Sequence, residues 1–421
     1  MSSDPDCMEY EADGQISLGE ALERLRAAAE PVVGSEIVPL DAAAGRVLAA
    51  PLIAPRDVPA FDNVAVDGYA FAAASLDAGR ETRLRLVEGR AAAGHPFAGE
   101  VPAGRAVRVL TGAVLPAGTD TVAMEEEVRL EAGHVVVPAG YRGGANARRR
   151  GEDIAAGRIL FEAGTRLLPQ HIGVAASLGR AELPVYARLR VAVFSSGDEL
   201  REPGEPFAEG TVYDANRHIL KALLAALPVT VTDLGVLADR AEVVREALDR
   251  AGREFDLVIT SGGASRGDED HMVRTVEALG SLHFWRVRMK PGRPIALGRV
   301  GRASFVGLPG NPVAAMVCFL LFARPLSLRL AGAQWREPRS YRVPAAFAMR
   351  KKTGRTEFLR ARLMHREDGS SVVQRIARQG SGILTGMTEA DGIVTLGEEV
   401  GEVREGDPVP FTSFAEFGYP A

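Results

Sequence analysis

Hydrophobic and polar positions along the chain fall into two rhythms. From about Thr82 to Val137, short runs of apolar and β-branched residues alternate with glycine and proline turns, which predicts a small all-β module. From Leu189 the rhythm becomes strand, loop, helix in series. Arg190–Phe194, Val229–Leu234 and Asp256–Thr260 predict short buried strands. Helices are expected after Val212–Arg217, from an Asp239 cap through Val243, Val244, Ala247, Leu248 and Ala251, and over Asp268–Leu279 with Gly280 as the stop. Regular alternation of this kind predicts a parallel sheet wrapped by helices, closed by a helix over Val313–Leu330. Beyond Gly332, alternating segments at Phe358–Met364, Val372–Ile376 and Ile393–Leu396 predict a final β-rich domain.

The first half carries weaker signals. Residues 1–14 read as disordered, and Ser17 with Glu20 three residues on predicts a capped helix to about Ala29. Pro39–Leu48 reads as a short helix or turn closed by Gly45, and Leu167–Leu178 returns to helix at Pro169. Pro59–Ala70 mixes carboxylates, Asn and Gly with small apolar residues; it reads as a partly buried linker turning at Asp67-Gly68. Glu125–Glu127 reads as a solvated edge. Arg148–Arg150 beside Glu152 and Asp153 reads as a salt-bridged surface, with anion attraction as the other reading.

At 421 residues the chain exceeds one core, so two to four domains are expected. Its net charge of −5 lacks the basic footprint of general nucleic-acid binding. Only two cysteines occur, Cys7 in a polar tail and Cys318 in an apolar helix, which points away from a disulfide framework and toward a reducing compartment. Met1–Asp13 is acidic, unlike a signal peptide, and the apolar run Val313–Ala323 is shorter than the roughly 20 residues of a membrane span. A cytoplasmic protein with neither nucleic acid nor membrane as partner is expected.

Candidate chemistry gathers at three predicted strand ends. Asp256–Thr260 runs into Ser261-Gly262-Gly263 and on through Ser265 to Asp268 and Asp270. Trp285–Met289 ends in Lys290-Pro291-Gly292-Arg293-Pro294, and Phe305–Gly307 in Leu308-Pro309-Gly310-Asn311-Pro312, where Asn311 can cap a helix opened by Pro312. Taken singly, each loop also reads as a tight turn or a solvated corner. Together they offer amides, cations and carboxylates at the carboxyl ends of strands, where open α/β sheets hold anionic ligands. Zinc spacings and nucleophile elbows are not seen, whereas carboxylates near cations suit Mg²⁺ with phosphates. The residues on their own reach a phosphate-bearing ligand and stop there.

Eight segments in order carry a resemblance further: Pro59–Ala70, Arg108–Ala113, Arg148–Ile154, Ser195–Leu200, Val212–Arg217, Ser261–Asp270, Met289–Pro294 and Leu308–Pro312. They resemble the signature segments of the molybdopterin molybdenumtransferases, the MoeA family, to which the C-terminal domain of gephyrin also belongs. The similarity covers roughly residues 15–411. The resemblance implies an elongated, homodimeric, four-domain subunit whose α/β domain is similar to the molybdopterin adenylyltransferases, with β-rich flanking domains. It implies Mg²⁺-dependent insertion of molybdate into adenylylated molybdopterin with release of AMP. A molybdopterin adenylyltransferase and molybdoenzyme apoproteins are the implied partners. The domains expected are 15–53 with 141–187, 54–140, 188–331 and 332–421.

By motif, the resemblance implies catalytic roles for Asp67, Thr111, Glu199 and Asp270, with Asp67, Glu199 and Asp270 also metal candidates. Substrate binding is implied for Asp153, Ser195, Gly197, Asp214 and Asp239, and for Ser261, Gly262, Gly263, Ser265, Lys290 and Arg293. Pro309, Gly310, Asn311, Arg360 and Ser381 complete that set. Departures from the family pattern are Val64, where Ser is frequent, Arg266, where a small apolar residue is usual, and Arg286 and Arg293, where Lys is common. Two other classes stay open: an adenylyltransferase using ATP and metal-free molybdopterin, and a non-catalytic carrier or scaffold. The flanking β modules and the Asp-Gly-Tyr-Ala segment favour the insertase.

Overall fold

The computed structural model describes residues 15–77, 79–262 and 271–419, so the signals at Cys7, Gly263, Ser265, Arg266, Asp268 and Asp270 lie outside the described residues. At the centre is a seven-stranded sheet. Its core is four parallel strands, Val229–Leu237, Leu189–Ser196, Leu257–Ser261 and Ala303–Leu308, in that spatial order. Leu257–Ser261 is buried throughout, as a strand covered on both faces must be. One face packs on the helices Ala215–Ala225 and Pro312–Cys318, and the other on Ala241–Glu254 and His271–Leu279.

The expected parallel sheet forms the four central strands, and two antiparallel strands extend it on one side, so the sheet as a whole is mixed. Pro294–Val300 turns back through Gly301 (φ +56°) into Ala303–Leu308 as an antiparallel hairpin, and Gly280–Val287 pairs antiparallel beyond it. Two strands joined by so short a turn cannot run parallel. Gly280 is the first residue of that outer strand; a β-carbon there would meet the Arg299 carbonyl oxygen at 2.1 Å.

The all-β module is a six-stranded sheet ordered Thr121–Met124, Gly68–Phe71, Arg105–Val109, Thr82–Ala91, His134–Val137 and Arg129–Glu131, with an apolar core on each face. Asp67-Gly68 is therefore not a turn in a linker. Gly68 opens a fully buried strand, and its missing β-carbon lets the Ala123 carbonyl approach. A separate apolar core joins residues from Val38–Val58 with others from Ile154–Val185. Past Gly332, a six-stranded sheet is built around Thr356–His365, Gly392–Leu396 and Pro408–Ser413. Met289–Lys290 adds to it alongside Thr356–Glu357, so the Lys-Pro-Gly loop leaves the central sheet where it meets the C-terminal one.

Ser17 accepts the Glu20 amide at 3.1 Å and caps Leu18–Ala28 as expected. Two other expected caps do not form. Arg240, not Asp239, stands at the cap position of Ala241–Glu254, with no side-chain bond. Asn311 precedes Pro312–Cys318 without a side-chain cap. The helix expected over Val313–Leu330 is α-helix to Cys318, a π-helical turn over Phe319–Ala323, and α-helix again over Arg324–Leu330. Its 19 residues from Pro312 are long and apolar enough to cross a membrane by length and composition, but 72% of its apolar 18-residue window is buried in the protein core.

Candidate active site

Three strand ends converge in the central sheet. Ser195 and Ser261 lie in register on neighbouring strands, with Leu308 beside Ser261 on the next. Beneath them the buried Asn216 side-chain amide donates to Ser261 Oγ at 2.7 Å and to the Gly310 carbonyl at 2.6 Å. The Ser261 hydroxyl reaches the Pro309 carbonyl at 3.4 Å, and the Gly262 amide donates to the Leu308 carbonyl at 3.1 Å. Gly262 has φ +89°, and a β-carbon there would lie 2.9 Å from the Ser196 carbonyl oxygen. The Ser-Gly-Gly and Pro-Gly-Asn loops are thus tied to one another from below. Ser195 is fully buried, and its hydroxyl has no hydrogen-bond partner among the described residues. Asn216 is the residue that sequence reasoning missed. It sits at the second position of a helix, where a polar side chain ordinarily faces water; only its place inside the Val212–Arg217 segment pointed to it.

The same helix explains Asp214. Buried, it caps Ala215–Ala225 by accepting the Arg217 amide at 3.1 Å and pairs with Arg217 Nε at 3.0 Å. Arg217, also buried, pairs further with Asp233 and Glu202. Asp214 therefore acts as an interior brace. Glu199 is exposed, with its carboxylate folded over Gly197; a β-carbon at Gly197 would stand 2.5 Å from Glu199 Oε2. Asp198 Oδ1 accepts the Asp239 amide at 3.2 Å, holding Asp239 beside the Gly197–Glu199 loop.

Around the cup, Lys290 and Arg293 are half-buried on a loop that packs on the long helix, where the Cys318 thiol donates to the Gly292 carbonyl at 3.5 Å. Burial pushes that thiol up to about 12, far from nucleophile range. Exposed Asn311 and Gly310 lead into the Pro312 helix, whose first available amide, on Val313, donates to the Ser381 carbonyl at 3.1 Å. Arg360 is buried, and burial depresses its pKa. Its guanidinium donates to the carbonyls of Ile383, Arg378 and Gly380 at 2.6–3.2 Å, so it shapes the loop that delivers Ser381.

A second group lies on the β module. The Asp67 carboxylate accepts the Thr111 hydroxyl and amide, and these bonds hold its pKa below the usual range. Arg108 adds to the lowering and itself pairs with Glu125 at 3.0 Å. Nearby, Arg149 pairs with Asp62 and Arg150 with Asp57, which bears out the salt-bridged reading of that surface, and exposed Asp153 donates its amide to the Val58 carbonyl at 3.1 Å. Among the described residues no strand of this module packs extensively on the central sheet, and no three metal-ligating side chains cluster. The structure brings Ser195, Gly197, Glu199, Ser261, Gly262, Pro309 and Gly310 to one end of the central sheet. Asp67 and Thr111 stand together elsewhere.

Three family models match in order: "MoeA N-terminal region (domain I and II)" over residues 16–179, "Probable molybdopterin binding domain" over 192–329 and "MoeA C-terminal region (domain IV)" over 342–414. A molybdopterin molybdenumtransferase from Haemophilus influenzae is 39% identical over 382 residues, covering 90% of this chain and 94% of that protein. The chain belongs to the MoeA family. Molybdopterin molybdenumtransferase 2 from Mycobacterium tuberculosis is 34% identical over 391 residues, covering 88% and 92% of the two chains. Among solved structures, the molybdopterin biosynthesis MoeA protein of Pyrococcus horikoshii OT3 superposes with a TM-score of 0.80 at 29% identity, covering 95% of this chain and all of that one. The MoeA fold accounts for the mixed central sheet flanked by β-rich modules.

Proposed function

We propose that this chain is a molybdopterin molybdenumtransferase, inserting molybdate into adenylylated molybdopterin and releasing AMP. The observation that carries the reading is the cup at Ser195, Ser261 and Gly310, tied from below by Asn216. It sits within the segment that matches a probable molybdopterin binding domain. Backbone amides at the strand ends, with Lys290 and Arg293 at the rim, are suited to a pyrophosphate. Ser261 and Gly262 orient it, and the buried Ser195 hydroxyl is a donor in reserve beneath the loop. Asp67, held as the anion by Thr111, is the positioning group for molybdate from the β module.

The exposed Glu199 carboxylate at the cup is chemistry that suits Mg²⁺, which binds through one or two carboxylates plus substrate phosphates; of the other two candidates, Asp67 stands on the β module and Asp270 lies outside the described residues. When bound, Mg²⁺ neutralises the charge on the pyrophosphate. The protein residues hold and orient the nucleotide.

The same reading includes a cytoplasmic homodimer. It divides into domains at 15–53 with 141–187, 54–140, 188–331 and 332–421, as the separate apolar cores support. A molybdopterin adenylyltransferase supplies the substrate and molybdoenzyme apoproteins take the product. Supplying adenylylated molybdopterin, molybdate and Mg²⁺ should yield AMP and metallated cofactor. AMP no higher than in a protein-free control rules the function out, and a stable monomer by light scattering at micromolar concentration rules out the dimer.

A further inference from the structure

Away from the cup, a cavity of about 110 Å³ opens where three parts of the chain meet. Gly164 and Arg166 form one wall, Arg324 and Leu328 of the long helix a second, and the connector Gln334–Arg336 a third. The walls are stitched together: the Gln334 amide donates to the Gly164 carbonyl at 2.9 Å, and its side chain to the Ala163 carbonyl at 3.0 Å. About 10–15 Å³ of such space holds one water, so a tetrahedral oxyanion has room.

The charge in this cavity is one-sided. Arg324 is only 8% exposed, and its Nε donates to the Phe417 carbonyl at 2.7 Å while the guanidinium lies 5.7 Å from the Phe417 ring centre. Arg166 bonds the Ala226 carbonyl through Nη2, and its Nε is buried without a partner among the described residues. Arg336 is exposed at the mouth. No ion pair with a carboxylate forms at any of the three among the described residues, although Arg324 and Arg336 also line the adjoining cavity on which Glu337 stands. The positive field spreads outward, since burial and then Arg336 hold His171 below its usual range. Buried guanidinium groups are ordinarily paired, because an uncompensated charge in the interior costs several kcal/mol.

We propose that this cavity binds a small oxyanion of the phosphate class, held by Arg166 and Arg324 with Arg336 at its mouth. Guanidinium forks match phosphate oxygens bidentately. The occupied site pins the connector and the long helix to the Gly164 segment, independently of any chemistry in the cup.

The test is the thermal midpoint of the full chain in phosphate against chloride at matched ionic strength, for wild type, Arg324→Met and Arg336→Ala. Phosphate held in the cup is common to all three and cancels. Wild type should gain stability with phosphate, and each variant should need at least tenfold more phosphate for the same gain. Arg336→Ala changes an exposed residue and keeps the test open if Arg324→Met does not fold. Equal phosphate responses in all three proteins overturn the site. A Gly-Ser tail after Ala421 carries the terminal carboxylate away; a phosphate response seen only in that longer chain assigns the arginines to the chain's own end and also overturns the proposal.

Discussion

Asp67 Oδ1 accepts two hydrogen bonds from one residue, the Thr111 amide at 2.7 Å and the Thr111 hydroxyl at 2.6 Å. Both residues are exposed, so this geometry is not the by-product of a packed core. The hydroxyl and then the amide favour the charged form, and Asp67 titrates below its ordinary range. Thr111→Val keeps the shape and the amide and removes the hydroxyl. The Asp67 pKa should rise toward normal, moving the acid limb of the rate profile to higher pH, with turnover lower by about 10²-fold. The thermal midpoint should hardly move. An unchanged pH profile removes Thr111 from the site.

Gly68→Ala places a methyl 1.9 Å from the Ala123 carbonyl oxygen and 2.9 Å from its carbon, inside the buried pairing of Gly68–Phe71 with Thr121–Met124. A backbone cannot yield as a flexible side chain does. The expected loss is about 1–3 kcal/mol or more, read as a lower denaturant midpoint, and Asp67 next door should lose its alignment with it. A variant as stable as wild type shows that the strand pair can open at no cost.

That glycine also marks how far the sequence could be read. Periodicity located the central strands because Leu257–Ser261 is apolar on both faces, and the loop residues followed from the strand ends. Close backbone approach has no such signature, so Asp67-Gly68 read as a turn. The antiparallel edge was hidden for a related reason: Pro294–Val300 opens with proline and carries Gly298 and Arg299, and its place is set by the Gly301 hairpin. Asp239 and Asn311 have the residue types of helix caps, yet Asp239 precedes the actual cap position and Asn311 occupies one without making the bond. Asn216 and Arg360 bond to main-chain atoms far along the chain, contacts that no local pattern encodes.

Asp233 is held at about 2: burial alone would raise it, but Lys221, the Gly235 amide and Arg217 outweigh that. A depressed carboxyl contributes stability that is fully present above its unfolded value near 3.8 and is lost as pH falls through about 2. Stability should therefore decline across that acid window, and the decline should be shallower in Asp233→Asn. Parallel declines in the two proteins put the acid sensitivity elsewhere.

Asp270, outside the described residues, is tested by a paired measurement. As an ordinary acid of a helix start it contributes roughly 0.3–1 kcal/mol, and Asp270→Asn should cost that and leave turnover intact. As a group facing the pterin nucleotide and metal, it should cost turnover about 10²-fold while the thermal midpoint barely shifts. AMP release and midpoint on one preparation separate the two, and an unchanged rate removes Asp270 from the site.

The π-helical turn over Phe319–Ala323 gives the long helix a phase offset. A π-turn accommodates one residue more than an α-turn, and each residue advances an α-helix by about 100°. The half that sets Cys318 against the Lys-Pro-Gly loop is therefore angularly uncoupled from the half that sets Arg324 against Phe417. Each half meets its own neighbour, which one uninterrupted amphipathic stripe could not do. Forcing the same residues into plain α-helix would swing one contact surface about 100° out of phase with the other, whereas removing a single residue from the turn would give plain α-helix with both surfaces kept in phase. In this helix length works as an angular setting: a one-residue deletion within Phe319–Ala323 is phase-neutral, and the same deletion in either α-helical half is not.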